Sequence, residues 1–113
     1  DPACETPLAM AELPRVSRPG GALLVSVPFG KRANRGWFRV YDASDVRQLA
    51  ASPGWRESSL RVFRSTKDGW REVAPSTAGD SGYNEPRAGH AKQTEPAWVA
   101  GAEAVALLEL TRV

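Results

Sequence analysis

The stretch SLRVFRSTKDGWREVA, residues 59–74, decides the fold. Two runs, 59–65 and 70–74, flank Thr66-Lys67-Asp68-Gly69. Asp-Gly between alternating runs is a strong hairpin signal, because glycine takes the positive φ of a tight turn without steric cost. Strand side chains alternate between faces, so Leu60 and Val62 share one face and Arg61 and Phe63 the other. By the same period, Trp70 and Arg71 point to opposite faces.

Upstream of this hairpin, DASDVRQLAAS predicts a helix of about two turns over residues 43–51. Asp42 or Ser44 can cap its free amides, Asp45 complements its dipole, and Val46, Leu49 and Ala50 fall on one face. Ser52-Pro53-Gly54 ends it. Before the helix, WFRVY (37–41) and ALLVSV (22–27) have the β-branched and aromatic content of strands. Pro28 and Gly30 close the first of them, and KRANRG forms a basic loop between the two. Residues 1–21 carry Pro2, Pro7, Pro14 and Pro19 and are expected to form an extended arm, with room for one helical turn over 8–13.

Downstream, residues 75–96 are rich in Gly, Pro, Ser and Thr and predict a long loop. In 102–110, Val105, Leu107 and Glu109 alternate with Ala106, Leu108 and Leu110, which favours a buried strand over a helix. The expected order is β-β-α-β-β-loop-β. The expected fold is mainly β, sandwich-like, or a β-dominated α+β domain with one short helix around 43–51 and a long loop over 75–96. The 113 residues leave room for one core, so 22–113 are expected to form a single β-rich domain behind the 1–21 arm.

Composition narrows the function classes. Hydrophobic residues are 42% and charged residues 25%, which is ordinary for a globular chain, and no apolar run is long enough to span a bilayer as a helix. Asp1 in place of Met and a near-absence of cysteine fit an exported protein, periplasmic or secreted. Heavy use of Ala, Gly and Arg with three Lys suggests a GC-rich, bacterial-type genome. Cys4 is the only cysteine and His90 the only histidine, so neither an internal disulfide nor a zinc site is available, and no cofactor is expected.

The net charge of +2 conceals an asymmetry. Residues 15–71 hold twelve basic groups and four acidic ones, and the segments on either side are net acidic. Lys31, Arg32 and Arg35 precede Trp37 and Arg39, a grouping of guanidinium and indole able to engage an anionic partner. The competing reading is that these arginines are solvated or paired with acids after folding. Of the four tryptophans, Trp55 follows Pro53-Gly54 and precedes Arg56, which makes it the expected exposed one. Tyr83, Arg87 and His90 are the loop residues that can extend such a surface.

Catalytic constellations are thin. Gly79-Asp80-Ser81-Gly82 resembles the segment around the nucleophilic serine of chymotrypsin-like proteases. That family requires two barrels, an upstream His and Asp, and a further glycine after the serine. Here Tyr83 follows Gly82 and the sole histidine, His90, lies downstream, so the tetrad reads as a turn. A nuclease-like hydrolase using His90 with Glu85 or Glu95 and Arg87 is an alternative, since an imidazole and a carboxylate can flank a phosphate held by Arg. The favoured expectation is a non-enzymatic, exported binding, inhibitor or immunity-type module. It would dock on a macromolecule, protein in preference to anionic glycan or nucleic acid, through Arg32, Arg35, Trp37, Arg39, Trp55, Tyr83, Arg87 and His90. A structural assembly subunit is a further alternative, for which an unpaired apolar edge strand would speak.

Overall fold

The computed structural model describes residues 2–34, 36, 38–84 and 101–113. Its elements are α1 (Pro2–Val16), β1 (Ala22–Pro28), β2 (Ala33–Asn34), β3 (Arg39–Val40), α2 (Ala43–Ala50), β4 (Trp55–Thr66) and β5 (Gly69–Val73). A 3₁₀ turn over Pro75–Ala78 follows, then β6 (Tyr83–Asn84), β7 (Gly101–Ala102) and β8 (Ala104–Arg112). Four strands form an antiparallel sheet in the order β1-β8-β4-β5, and β2-β3 and β6-β7 form two-stranded ribbons. Helices rather than a second large sheet complete the core, so the β-dominated α+β form of the expectation is the one adopted.

The hairpin at 59–74 is the β4–β5 pair, with Ser65 opposite Trp70 and Thr66 opposite Gly69. Gly69 takes φ +114, as the turn requires. The segment 104–112 is a strand, and it lies at the centre of the sheet between β1 and β4. Its alternation is read directly in burial: Ala104, Ala106, Leu108 and Leu110 are buried, while Val105, Leu107 and Glu109 are half-buried on the opposite face. Leu23, Val25 and Val27 of β1 and Leu60, Val62 and Val73 of the hairpin join the buried row. Met10 and Leu13 of α1, Val46 and Leu49 of α2, and Phe29 and Tyr41 pack on that same core.

Helix α2 starts where the capping signal places it. Asp42 Oδ1 accepts from the Asp45 N–H, and the Asp45 carboxylate accepts from the Asp42 N–H, a reciprocal capping box.

Two expectations are corrected. Residues 2–16 are helical, not extended, with Pro7 and Pro14 inside the helix. Proline costs a helix a donor and a steric clash, but Ala9, Met10, Ala11, Glu12 and Leu13 are strong helix formers. Burial of Met10 and packing of Leu13 on the core supply the tertiary stabilisation that local signals do not show. Trp55 is the second case: it is 7% exposed, whereas Trp70 is 55% exposed. Trp55 opens β4 opposite Arg112, and a register shift between Glu57 and Ser59 changes the side-chain alternation. That bulge brings an odd-numbered Trp55 onto the same face as even-numbered Leu60 and Val62. The turn before it closes on α1: Gly54 has φ +94, and a Cβ there would meet Pro14 Cγ at 2.8 Å.

Of the expected loop over 75–96, residues 75–84 are described and hold the 3₁₀ turn and β6, which pairs with β7; the rest lies outside the described residues. Arg35, Trp37, Arg87 and His90 lie outside the described residues, as do Glu85 and Glu95. No helix among the described residues is long and apolar enough to cross a membrane.

Candidate functional site

Strand β1 runs out at Pro28, and the chain then turns toward β2. Tyr41 pairs beside that exit: its N–H donates to Pro28 O at 2.9 Å, and Gly30 N–H donates to Tyr41 O at 2.9 Å. On the other side the 79–83 segment approaches closely, with the Lys31 N–H donating to Ser81 O at 2.8 Å. Gly30 makes this approach possible. It sits at φ +153, and a Cβ would lie 2.0 Å from Ser81 O.

Three segments therefore converge around the β2–β3 ribbon. They enclose a groove of about 290 Å³ lined by Lys31, Arg32, Ala33, Val40, Gly82 and Tyr83. Tyr83 packs on Phe38, ring centroids 4.2 Å apart and tilted by 37°.

The electrostatic centre beside this groove is Asp45, whose side chain is 3% exposed. It accepts from Arg32 Nε at 3.1 Å, and Arg32 Nη2 lies 3.0 Å from Asp45 Oδ1. Arg39 Nη2 donates to Asp45 Oδ1 at 2.9 Å, and the Arg39 guanidinium lies 4.6 Å from the Tyr41 ring centroid. Asp42 adds a longer contact to Arg32 Nε at 3.4 Å. Burial opposes ionisation of Asp45, but the Asp42 N–H, the Arg32 hydrogen bond and the charges of Arg39 and Arg32 outweigh it, so its pKa is lowered. In turn, the hydrogen bond to Asp45 and the charges of Asp45 and Asp42 raise the Arg32 pKa above its ordinary value.

Of the residues singled out from sequence, Arg32, Arg39 and Tyr83 are brought into this region, and Trp55 belongs to the core instead. Arg39 is mostly spent internally, its side chain 17% exposed and clamped between Asp45 and Tyr41. Arg32 is different. Its side chain is 55% exposed, and a guanidinium carries five N–H donors, so capacity beyond Asp45 remains on the solvent side. Lys31 is exposed beside it, and no acid pairs with it among the described residues.

Asp45 was expected to act on the helix dipole alone; its role as the anchor of two arginines was not visible from spacing. Elsewhere Arg61 pairs with the exposed Glu72 at 3.0 Å and lies 5.0 Å from the Phe63 ring centroid. Pairing therefore consumes several charges of the basic segment, two of its arginines through acids of that same segment.

The Gly79-Asp80-Ser81-Gly82 tetrad is a turn. Ser81 is 1% exposed, and its Oγ has no hydrogen-bond partner among the described residues. Among the described residues, no group of three or more His, Cys, Asp or Glu side chains is placed to hold a metal ion. Comparison with known proteins returns no match, either to a family model, to a curated protein or to a solved structure.

Proposed function

We propose that this chain is a non-enzymatic, exported binding module of the inhibitor or immunity type that docks acidic side chains of a protein partner in the Lys31, Arg32 and Tyr83 groove. The observation that carries this reading is the Asp45 clamp. It fixes the Arg32 guanidinium beside a groove that Arg32 lines together with Ala33, Val40, Gly82, an exposed Lys31 and Tyr83. A planar guanidinium held from one side by Asp45, with Asp42 more distant, presents its remaining donors in a set direction, which suits a further carboxylate approaching from solvent. Small apolar residues between the cations and the ring favour a side chain over a continuous phosphate backbone, which would need an extended basic track. The hydrolase alternative draws on His90, Arg87, Glu85 and Glu95, which lie outside the described residues.

The test is fluorescence anisotropy with three labelled probes: an Asp/Glu-rich peptide, a sulfated oligosaccharide and a single-stranded oligonucleotide. The peptide is expected to bind, and Lys31→Glu to weaken it by at least about tenfold, the scale of one charge pair of about 1.4 kcal/mol at an interface. Lys67→Glu, at the exposed hairpin turn, serves as the control and should leave binding unchanged. Preference for the oligonucleotide or the glycan with a steep salt dependence would overturn the reading. So would an equal loss in the Lys67 variant.

A further inference from the structure

The two edges of the main sheet differ in chemistry. β5 is one edge, and its sequence GWREV places Arg71 and Glu72 along it. Charged side chains on an edge strand discourage pairing with another chain, and pairing β5 with its own copy about Arg71 would bring two arginines face to face. β1 is the other edge, and its sequence ALLVSVP carries no charge over seven residues.

The ladder shows which backbone groups of β1 are free. Arg112 N–H donates to Gly21 O, and Phe29 N–H donates to Ala104 O. With Leu23 opposite Leu110, Val25 opposite Leu108 and Val27 opposite Ala106, the odd-numbered residues are the ones bonded to β8. Ala22, Leu24 and Ser26 therefore direct their N–H and C=O groups away from the sheet, and all three residues are exposed, Leu24 at 65%. Among the described residues the edge closes at its far end, where Pro28 O accepts from Tyr41 N–H.

We infer that β1 pairs with β1 of a second copy of this chain, antiparallel about a two-fold axis at Leu24. In that register Leu24 faces Leu24 of the copy, and Ala22 faces Ser26 in both directions. Each of the three residues donates one hydrogen bond and accepts one across the axis, which satisfies the free backbone groups described above. No like charges confront each other on the paired strands, and the exposed Leu24 side chains cover one another on the face that also carries Val105, Leu107 and Glu109, the last opposite Leu24. A two-fold axis closes the assembly at two copies, since the other edge of the main sheet is the charged β5. The inference goes beyond the binding groove and is independent of it: β1 contributes no residue to that groove.

The experiment uses the full chain, with sedimentation analysis across a concentration series and amide hydrogen exchange by NMR. Wild type is expected to reach twice the mass of one chain, with the Leu24 and Ser26 amides gaining at least about tenfold protection as concentration rises. Leu24→Lys should remain a monomer, fold as judged by an unchanged far-UV spectrum, and lose any concentration dependence of the melt, because the side chain is exposed in the single chain. Ser26→Lys provides a second, independent block should Leu24→Lys fold poorly. A wild-type chain that stays monomeric throughout overturns the inference. A dimer that survives both lysines overturns it, and so does protection of these amides that is independent of concentration.

Discussion

Replacing Asp45 with Asn tests the clamp that orders the β2–β3 ribbon against α2. The carboxylate is almost wholly buried and accepts from the Asp42 N–H at 3.0 Å, from Arg32 at 3.1 Å and from Arg39 at 2.9 Å. Removing one member of a buried ion pair costs about 3–5 kcal/mol, because the remaining charge is left uncompensated. Asn keeps the shape and one acceptor oxygen, and Arg32 keeps water on its exposed side, so the expected cost for Asp45→Asn is about 2 kcal/mol. For a chain of this length that lowers Tm by about 8 °C.

The assay is a calorimetric melt of wild type and variant over a pH series. The folded-state pKa of Asp45 lies below the unfolded value of about 3.9. Its stabilisation is therefore fully present above that value and is lost as pH falls through the lower folded one. The gap between the two proteins should be constant from neutral pH to about pH 5 and close at more acid pH. Adding Arg39→Met to Asp45→Asn should cost less than the sum of the two single changes, since the lone guanidinium is removed with its partner. A variant within a degree of wild type at neutral pH, or strictly additive single changes, would refute the clamp.

Two further outcomes follow from packing. Trp55→Ala should lower stability by about 3–5 kcal/mol in urea unfolding, whereas Trp70→Ala, on the exposed face, should change it by less than about 1 kcal/mol. The reverse order would place the wrong indole in the core. Gly30→Ala should cost at least about 2 kcal/mol and shift the NMR resonances of residues 79–83, because a Cβ at φ +153 collides with Ser81 O. An alanine tolerated there without spectral change would contradict the close approach that builds the groove.

The parts of the fold legible in the sequence are those fixed by short-range chemistry. The Asp68-Gly69 turn, the Asp42 cap and the alternation through β8 each declare themselves within a few residues. Helix α1 did not, because its prolines argue locally against it, and what holds it is burial of Met10 against elements far along the chain. The burial of Trp55 is hidden from the sequence for a related reason. A single extra residue in β4 reverses which side chains face inward, and no local signal marks that bulge. At the site, the cations were visible as composition, but Asp45 as their common anchor was not. Its partners Arg32 and Arg39 stand thirteen and six residues away and meet it only once the ribbon folds back on α2.

The position of β8 bears on how the chain is made. It follows the other described strands in sequence and is an inner strand of the sheet, joined to β1 from Ala22 opposite Thr111 to Pro28 opposite Val105. During synthesis, the β4–β5 hairpin can close as soon as it leaves the ribosome, since its contacts are local. Strand β1 cannot: it waits for roughly eighty more residues to be polymerised, with both of its edges open and no charge to guard either. Nascent chains stalled before residue 104 should thus be the aggregation-prone species, and a chaperone that holds extended apolar segments would find its target at residues 22–28.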